Sequence, residues 1–374
     1  NDIRFALNLH SDIAWFGRNN VKLSSKIKDI NVVKKNVNYN FDSVSIKAYN
    51  TNDTSGLQLK SAIAKIDFST ETGLQKLPQY LESILGSYYR FSDSGSNSDF
   101  EHKVKLKMHI YNSELFTEVL FPKLEMMETM SAEGQISVKE QLIDFKFEAP
   151  GIIYDNASVN GVIVNINNNR GRMNFSAGFD SFKQNKLHIG NTKIGGVLAN
   201  DSIQAKLKIK NKNRIKYDLE SVIYRTDSSH NLKLKTNPLT LNYQDWGIPA
   251  SNMIIVEKKT LSFHDFMLSS ADQRLEIHSG ENDTISEYVI ALDQFNASTV
   301  IGAVEYGDNI INALINGNVR LTTHKKKYIF EADLSINDFL MNDIQVFDSM
   351  RINSNNQNDD VVEVTAKPVL ASRK

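Results

Sequence analysis

The chain contains no cysteine in its 374 residues, which excludes disulfides, thiolate metal centres and cysteine nucleophiles together. It contains no unbroken apolar stretch of 18 residues, so nothing in it reads as a membrane-spanning helix. Neither sign of charge dominates. Lys and Arg number 43 against 44 Asp and Glu, for a net charge of -1, whereas a protein that grips nucleic acid through its phosphates usually carries a basic surplus. Nucleic acid is therefore not an expected partner. The chain opens on Asn1-Asp2-Ile3-Arg4-Phe5 with neither an initiating Met nor a signal-peptide core, and it ends at Lys374 without a capping signal. We expect a piece of a larger protein, with an anchor or targeting signal outside it.

What the chain has in quantity is strict alternation of apolar and polar residues. Val104, Leu106, Met108 and Ile110 alternate with Lys103, Lys105, Lys107 and His109. Ile203, Ala205, Leu207 and Ile209 do the same against Lys206, Lys208 and Lys210, as do Phe175, Ala177 and Phe179 in their stretch. Successive side chains of a strand point to opposite faces, so this spacing makes one face apolar and the other wet. Runs of this kind fill residues 1–72 and then 131–374, separated by Asn-rich clusters such as Asn167-Asn168-Asn169, Asn211-Lys212-Asn213 and Asn353-Ser354-Asn355-Asn356. Strands joined by such turns predict a meander of hairpins. No βαβ rhythm is present, which argues against a doubly wound parallel fold.

Between these stretches, residues 73–130 read as a partly helical insertion. Leu74, Leu77, Leu81, Ile84, Leu85 and Tyr88 recur at helical spacing, predicting an amphipathic helix over 73–90, with Pro78 near its start. Ser92 to Ser98 reads as a flexible loop. Leu115, Val119, Leu120, Leu124, Met127 and Met130 predict a second helical segment over 114–130, bent or split at Pro122. Both helices are expected to cover part of the sheet as an ordinary second layer, the alternative being that they cap or gate its apolar face.

Motifs for chemistry are missing. The eight histidines show neither HxH nor HExxH spacing. Ser262-Phe263-His264-Asp265 holds a hydrolase's residue types, but neighbours on one strand face opposite ways and cannot form a triad alone. Glu125 with Glu128, or Asp359 with Asp360, read as exposed charge rather than as an acid/base pair. Neither GxxxxGK[ST] nor GxGxxG occurs, and the segment from Gly190 to Gly196 reads as a turn. Lys325-Lys326-Lys327 reads as a solvated hairpin turn. Nothing here points to an enzyme, a metal or a cofactor.

Two stretches resemble a known family. Leu120-Phe121-Pro122-Lys123-Leu124, Ala132-Glu133-Gly134-Gln135-Ile136 and Phe147-Glu148-Ala149-Pro150-Gly151-Ile152-Ile153-Tyr154 form the first. The second runs from Asn242-Tyr243-Gln244-Asp245-Trp246-Gly247-Ile248-Pro249 to Asn252-Met253-Ile254-Ile255-Val256, then through Leu261 to Leu268 and Gln273 to Ile277. Together they resemble the TamB branch of the AsmA-like envelope proteins of Gram-negative bacteria, over roughly 100–374. Asn316 to Leu321 and Asp333 to Ile336 add a weaker likeness. The family's hydrophobic anchor and its segment for docking on an outer-membrane barrel have no counterpart here.

The resemblance implies an all-β fold: an elongated, curled antiparallel sheet, open along one side, with an apolar concave face and one or two short helices. It implies a periplasmic protein, anchored to the inner membrane by a segment absent from this chain. Such a protein carries phospholipids between the two membranes and aids outer-membrane assembly with a TamA-type barrel partner. The residues lead to a similar place, because an apolar sheet face with few helices to cover it must curl on itself or hold something apolar. Candidate lining residues for acyl chains are Val104, Leu106, Met108, Phe145, Phe147, Val162, Val164, Phe175, Phe179, Leu207, Ile209, Leu232, Leu234, Leu239, Leu241, Phe330 and Leu334. A charge on that face, for instance Leu207→Asp, is expected to block passage. The competing expectation is that these side chains fill a closed core, as in a structural or adhesive β-solenoid acting as an interaction scaffold. A carbohydrate-active β-helix would need stripes of carboxylates, where this chain alternates Lys and Asn.

Overall fold

The computed structural model describes all residues except 1–2, 16–19, 92–101, 138, 141, 170, 227, 258–259, 281–285, 303–304, 307–310, 325–326, 342–343, 356–362 and 371–374. The fold is all-β, built of antiparallel sheets that are open rather than closed into a barrel, with short helices beside them. Two compact units divide it. One comprises residues 1–185 and 195–201, the other 186–194 and 202–374, so the division falls inside the stretch 131–374 that the sequence reads as continuous.

The first unit is a meander. Strands β1 (Ile3–Trp15), β2 (Val21–Lys34), β3 (Val37–Asn50), β4 (Ser55–Lys60), β5 (Ala64–Thr70) and β6 (Lys103–Ile110) pair each with the next. After β7 (Leu124–Met127) come β8 (Met130–Ser137), β9 (Leu142–Tyr154), β10 (Ala157–Asn169), β11 (Arg172–Phe179) and β12 (Ser181–Gln184). Here β8 pairs with β6, while β9 takes β8 along its first half and β7 along its second. The long β10 likewise takes β12 along its start and β11 along the rest. At the change of partner Gly161 has φ +66°, and a Cβ there would lie 2.1 Å from the Asp180 carboxylate, so the bend favours glycine.

In the second unit β13 (Leu187–Ile189) precedes β14 (Asn191–Ala199), whose last residues belong to the first unit. One sheet then runs through β15 (Ser202–Asn211), β16 (Arg214–Arg225), β17 (Ser229–Leu241), β18 (Gln244–Asp245), β19 (Met253–Glu257) and β20 (Thr260–His264). A second sheet holds β21 (Phe266–Ser270), β22 (Gln273–Ser279), β23 (Ser286–Asn296), β25 (Ile311–His324), β26 (Lys327–Met341), β27 (Ile344–Asn355) and β28 (Glu363–Leu370). The short β24 (Glu305–Tyr306) pairs with β13.

Many of the hairpins turn where polar residues accept a left-handed backbone. Lys35-Asn36, Asn200-Asp201, Lys212-Asn213 and Asn242-Tyr243 each have positive φ at both positions, the requirement of the tight turn whose twist matches the flanking strands. The predicted helix over 73–90 is a 3₁₀ turn at Leu74–Lys76 running into α1 (Leu77–Gly86), with Pro78 in the first turn, where its missing N–H costs nothing. The predicted helix over 114–130 is mostly not helical. A π-helical segment, Leu115–Leu120, ends before Pro122, and the rest forms β7 and the start of β8. Backbone pairing to β9 and β6 outweighs a spacing of Leu and Met that fits either period. The segment 190–196, read as a turn, lies mostly in β14, and Asn353 to Asn355 end β27 rather than opening a turn. The loop read at 92–99, and Lys325 and Lys326, lie outside the described residues.

Candidate functional site

The pairing registers of the first unit align its apolar residues into rows that run across the strands. One row reads Ile13, Leu23, Ala48, Leu57, Phe68, Leu106, Gly134, Phe145, Ile166 and Phe175 from β1 to β11, with no polar side chain in it. The next reads Ile46, Leu59, Ile66, Met108, Ala132, Phe147, Val164 and Ala177. Strand alternation puts the opposite face under water: Lys47, Gln58, Asp67, Lys107, Glu133, Lys146 and Asn165 form the row behind. The pair Lys107 and Glu133 stands 3.6 Å apart there. The substantial strand-to-strand contacts of this unit are all between hydrogen-bonded neighbours. Ile13 at the end of the first row is exposed, and the other large side chains of the two apolar rows are half-buried.

Cover comes at the two ends of the strands. At one end the row of Thr70, Val104, Ile136, Ile143 and Met173 faces α1, whose Tyr80 and Ile84 are buried. A cavity of about 480 Å³ lies between them, walled by Ile84 and Tyr88 on one side and by Ile136, Leu142, Ile143 and Asn168 on the other. The segment after α1 is strapped down. Tyr80 donates its hydroxyl to the His102 carbonyl, Asn168 Nδ2 donates to the Tyr88 hydroxyl at 3.0 Å, and Arg90 pairs with Asp201 at 2.7 Å. At the other end Val119 of the π-helical segment packs on Val32 and Tyr39, with Ile3, Ile30, Phe41 and Leu115 around them. Lys34 donates to the Glu118 carbonyl. Burial, and next the Glu118 carboxylate beside it, push the Tyr39 phenol up.

Of the sequence candidates, Val104, Leu106, Met108, Phe145, Phe147, Val164 and Phe175 therefore share this face. Val162 stands opposite Ala149, and Phe179 follows Phe175 and Ala177 on the same side of β11.

The candidates of the second unit sit in two settings. Leu207 pairs with Leu219 and Ile209 with Tyr217, while Leu232 lies between Ile223 and Ile254. Leu234, Leu239 and Leu241, by contrast, pack in a filled core with Trp246, Ile248, Phe266 and Phe295. The Trp246 and Phe295 rings stand 5.9 Å apart. This core joins the unit's two sheets, which also meet through a backbone bridge between Gly247 and Ser269. Asn252, wholly buried, donates to the carbonyls of Leu234 and Pro249 and accepts from the Leu234 N–H at 2.9 Å. The tryptophan-centred stretch thus builds a core and satisfies the broken edge of β17. In the second sheet Phe330 stands opposite Leu321, and Leu334 lies between Gly317 and Ile352.

The polar side chains form structural pairs. Glu220 accepts from Lys206 at 2.6 Å and Lys235 at 3.1 Å, bonds that hold its carboxyl below the usual glutamate range and raise Lys206. Buried Tyr217 donates to the Thr299 carbonyl at 3.0 Å, and burial pushes its phenol upward. In Ser262-Phe263-His264-Asp265, Phe263 packs on the core while His264 and Asp265 are exposed. Glu125 and Glu128 are exposed, and Asp359 and Asp360 lie outside the described residues. Among the described residues no cluster of three His, Asp or Glu is placed to hold a metal, and no helix is long and apolar enough to cross a membrane.

Sequence reasoning missed the strap, because Tyr80, Tyr88, Asn168 and Asp201 are far apart in the chain and only tertiary structure unites them. It also missed Val32 and Tyr39, whose alternation in β2 and β3 carried a signal that could have found them. Comparison with protein-family models, curated proteins and solved structures finds no match to this chain.

Proposed function

We propose that the apolar face of the first unit is a floor for lipid acyl chains, and that the protein is a non-enzymatic lipid carrier of the TamB kind. The observation that carries the reading is the row from Ile13 to Phe175, apolar on every strand it crosses. Side chains so arranged gain by meeting hydrocarbon. At about 0.8 kcal/mol per buried methylene, a chain of roughly sixteen carbons gains on the order of 10 kcal/mol. Such a floor needs no catalytic group, since the tails slide over it while head groups stay in water. In this reading the substrates are phospholipids, the setting is the Gram-negative periplasm, and a TamA-type barrel is the outer-membrane partner. The filled core around Trp246 favours a second reading for the other unit, that of a rigid scaffold without lipid of its own.

The test is paired substitution on neighbouring residues of β6. Protein prepared without detergent from a Gram-negative host should carry phospholipid by native mass spectrometry. Leu106→Asp puts an unpaired carboxylate on the floor and loses that lipid, while Lys107→Asp puts the same charge on the wet face and keeps it. Equal lipid content in the two folded variants, or none in the parent protein, would overturn the reading.

A further inference from the structure

At one end of the apolar floor the alternation of β10 is broken by a polar side chain. Val162, Val164 and Ile166 are followed on the same side by Asn168, which stands opposite Met173. Its hydrogen bonds fix its orientation. Asn168 Oδ1 accepts from the Ile143 backbone N–H at 2.6 Å, so Nδ2 is the atom that faces Tyr88, donating to the phenolic oxygen at 3.0 Å. A phenol that accepts in this way still has its own O–H to give. Among the described residues nothing takes that proton, although Tyr88 is only 9% exposed. Tyr88 and Asn168 both wall the cavity of about 480 Å³ under α1, a size within the roughly 300–1,000 Å³ of small-molecule sites. Ile84, Leu142 and Ile143 supply apolar wall, and among the described residues no charged side chain lines it.

We propose, resting on the acyl-floor reading, that this cavity holds the ester end of an acyl chain, with Tyr88 donating its hydroxyl to the ester carbonyl. A buried donor left over asks for an acceptor. Apolar walls without a cation select an uncharged one, since an ionised carboxylate there would lose its hydration and gain no partner. Asn168 is the positioning residue: by occupying the phenolic oxygen it turns the Tyr88 proton toward the ligand. The hydrocarbon then has a continuous path onto the floor. Ile143 lies two residues before Phe145, Asn168 two after Ile166 and Met173 two before Phe175, each pair on one side of its strand and about 7 Å apart along it. The floor rows ask only for an apolar chain, whereas the cavity fixes where that chain begins. Phospholipids and neutral glycerides share the ester this site reads.

The experiment is calorimetric titration of the whole protein with a short-chain diacyl phosphatidylcholine and with its diether analogue, which keeps the shape and lacks the carbonyls, both below the concentrations at which they form micelles. We expect the ester to bind about fivefold tighter than the ether, the effect of one ordinary hydrogen bond. In Tyr88→Phe the ester should fall to the affinity of the ether, with the ether unchanged. Short-chain diacylglycerol in the same titration separates the sources of the ester: weaker binding than phosphatidylcholine assigns the site to phospholipids, tighter binding assigns it to glycerides, and either order keeps the ester site. Three results overturn the proposal: equal binding of ester and ether by the parent protein, an ester preference that survives in Tyr88→Phe, or tighter binding of the matching free fatty acid at neutral pH. Native mass spectrometry of the parent and of Leu106→Asp separates this site from the floor. Lipid carried by the parent and lost in Leu106→Asp, without any ester preference, counts against the ester site alone. A preference that depends on Tyr88, in a parent protein that carries no long-chain lipid, counts against the floor alone.

Discussion

Asn252 holds three backbone groups of the β17 bend at once, and no other residue type fits that demand, because the site asks for two donors and an acceptor on one short planar group. Replacing it with Ala strands the Leu234 N–H and carbonyl away from water, while the Pro249 carbonyl keeps the backbone N–H of residue 252. A buried unpaired group costs roughly 1–3 kcal/mol, so Asn252→Ala should lower stability by about 3 kcal/mol in urea denaturation, whereas replacing exposed Asn38 of β3 should change it by less than about 0.5 kcal/mol. Equal effects would show that the bend finds its partners elsewhere. Asn252 and Trp246 stood out in the sequence, but as part of a resemblance. Their physical task, closing a core, became visible only with the distances.

At the scale of elements, alternation made most strands legible, and β6 was read almost residue for residue from Val104 to Ile110. The stretch 114–130 was not, because Leu124 and Met127 continue the helical spacing of Leu115 and Val119 while their own backbone pairs with β9. Strand register was also beyond the sequence, since it depends on turns and bulges such as the one at Asp29, where φ is +53°. The strap after α1 gives this scale its prediction. Tyr88→Phe together with Arg90→Ala removes the bond from Asn168 and the pair with Asp201, contacts worth about 1 kcal/mol together where partly exposed. Hydrogen exchange over residues 80–89 should speed about fivefold while the midpoint of global unfolding stays unchanged. A matching fall in that midpoint would mean that α1 is part of the cooperative core.

For the whole molecule, the account separates two kinds of apolar surface that the sequence could not tell apart. Leu106 and Leu239 both alternate with polar neighbours, yet Leu239 is 4% exposed in a filled core and Leu106 lies half-buried in an apolar row that crosses the sheet of the first unit. The difference is set by what packs on top, which alternation does not encode. The most direct test of the acyl floor is photocrosslinking in a Gram-negative cell, with a benzophenone amino acid placed at Phe145 or Phe175 and, as controls, at Lys146 or Leu239. The account predicts phospholipid adducts at Phe145 and Phe175 and none at the controls. Adducts to protein alone at Phe145 and Phe175, or lipid adducts of equal yield at Lys146, would contradict it.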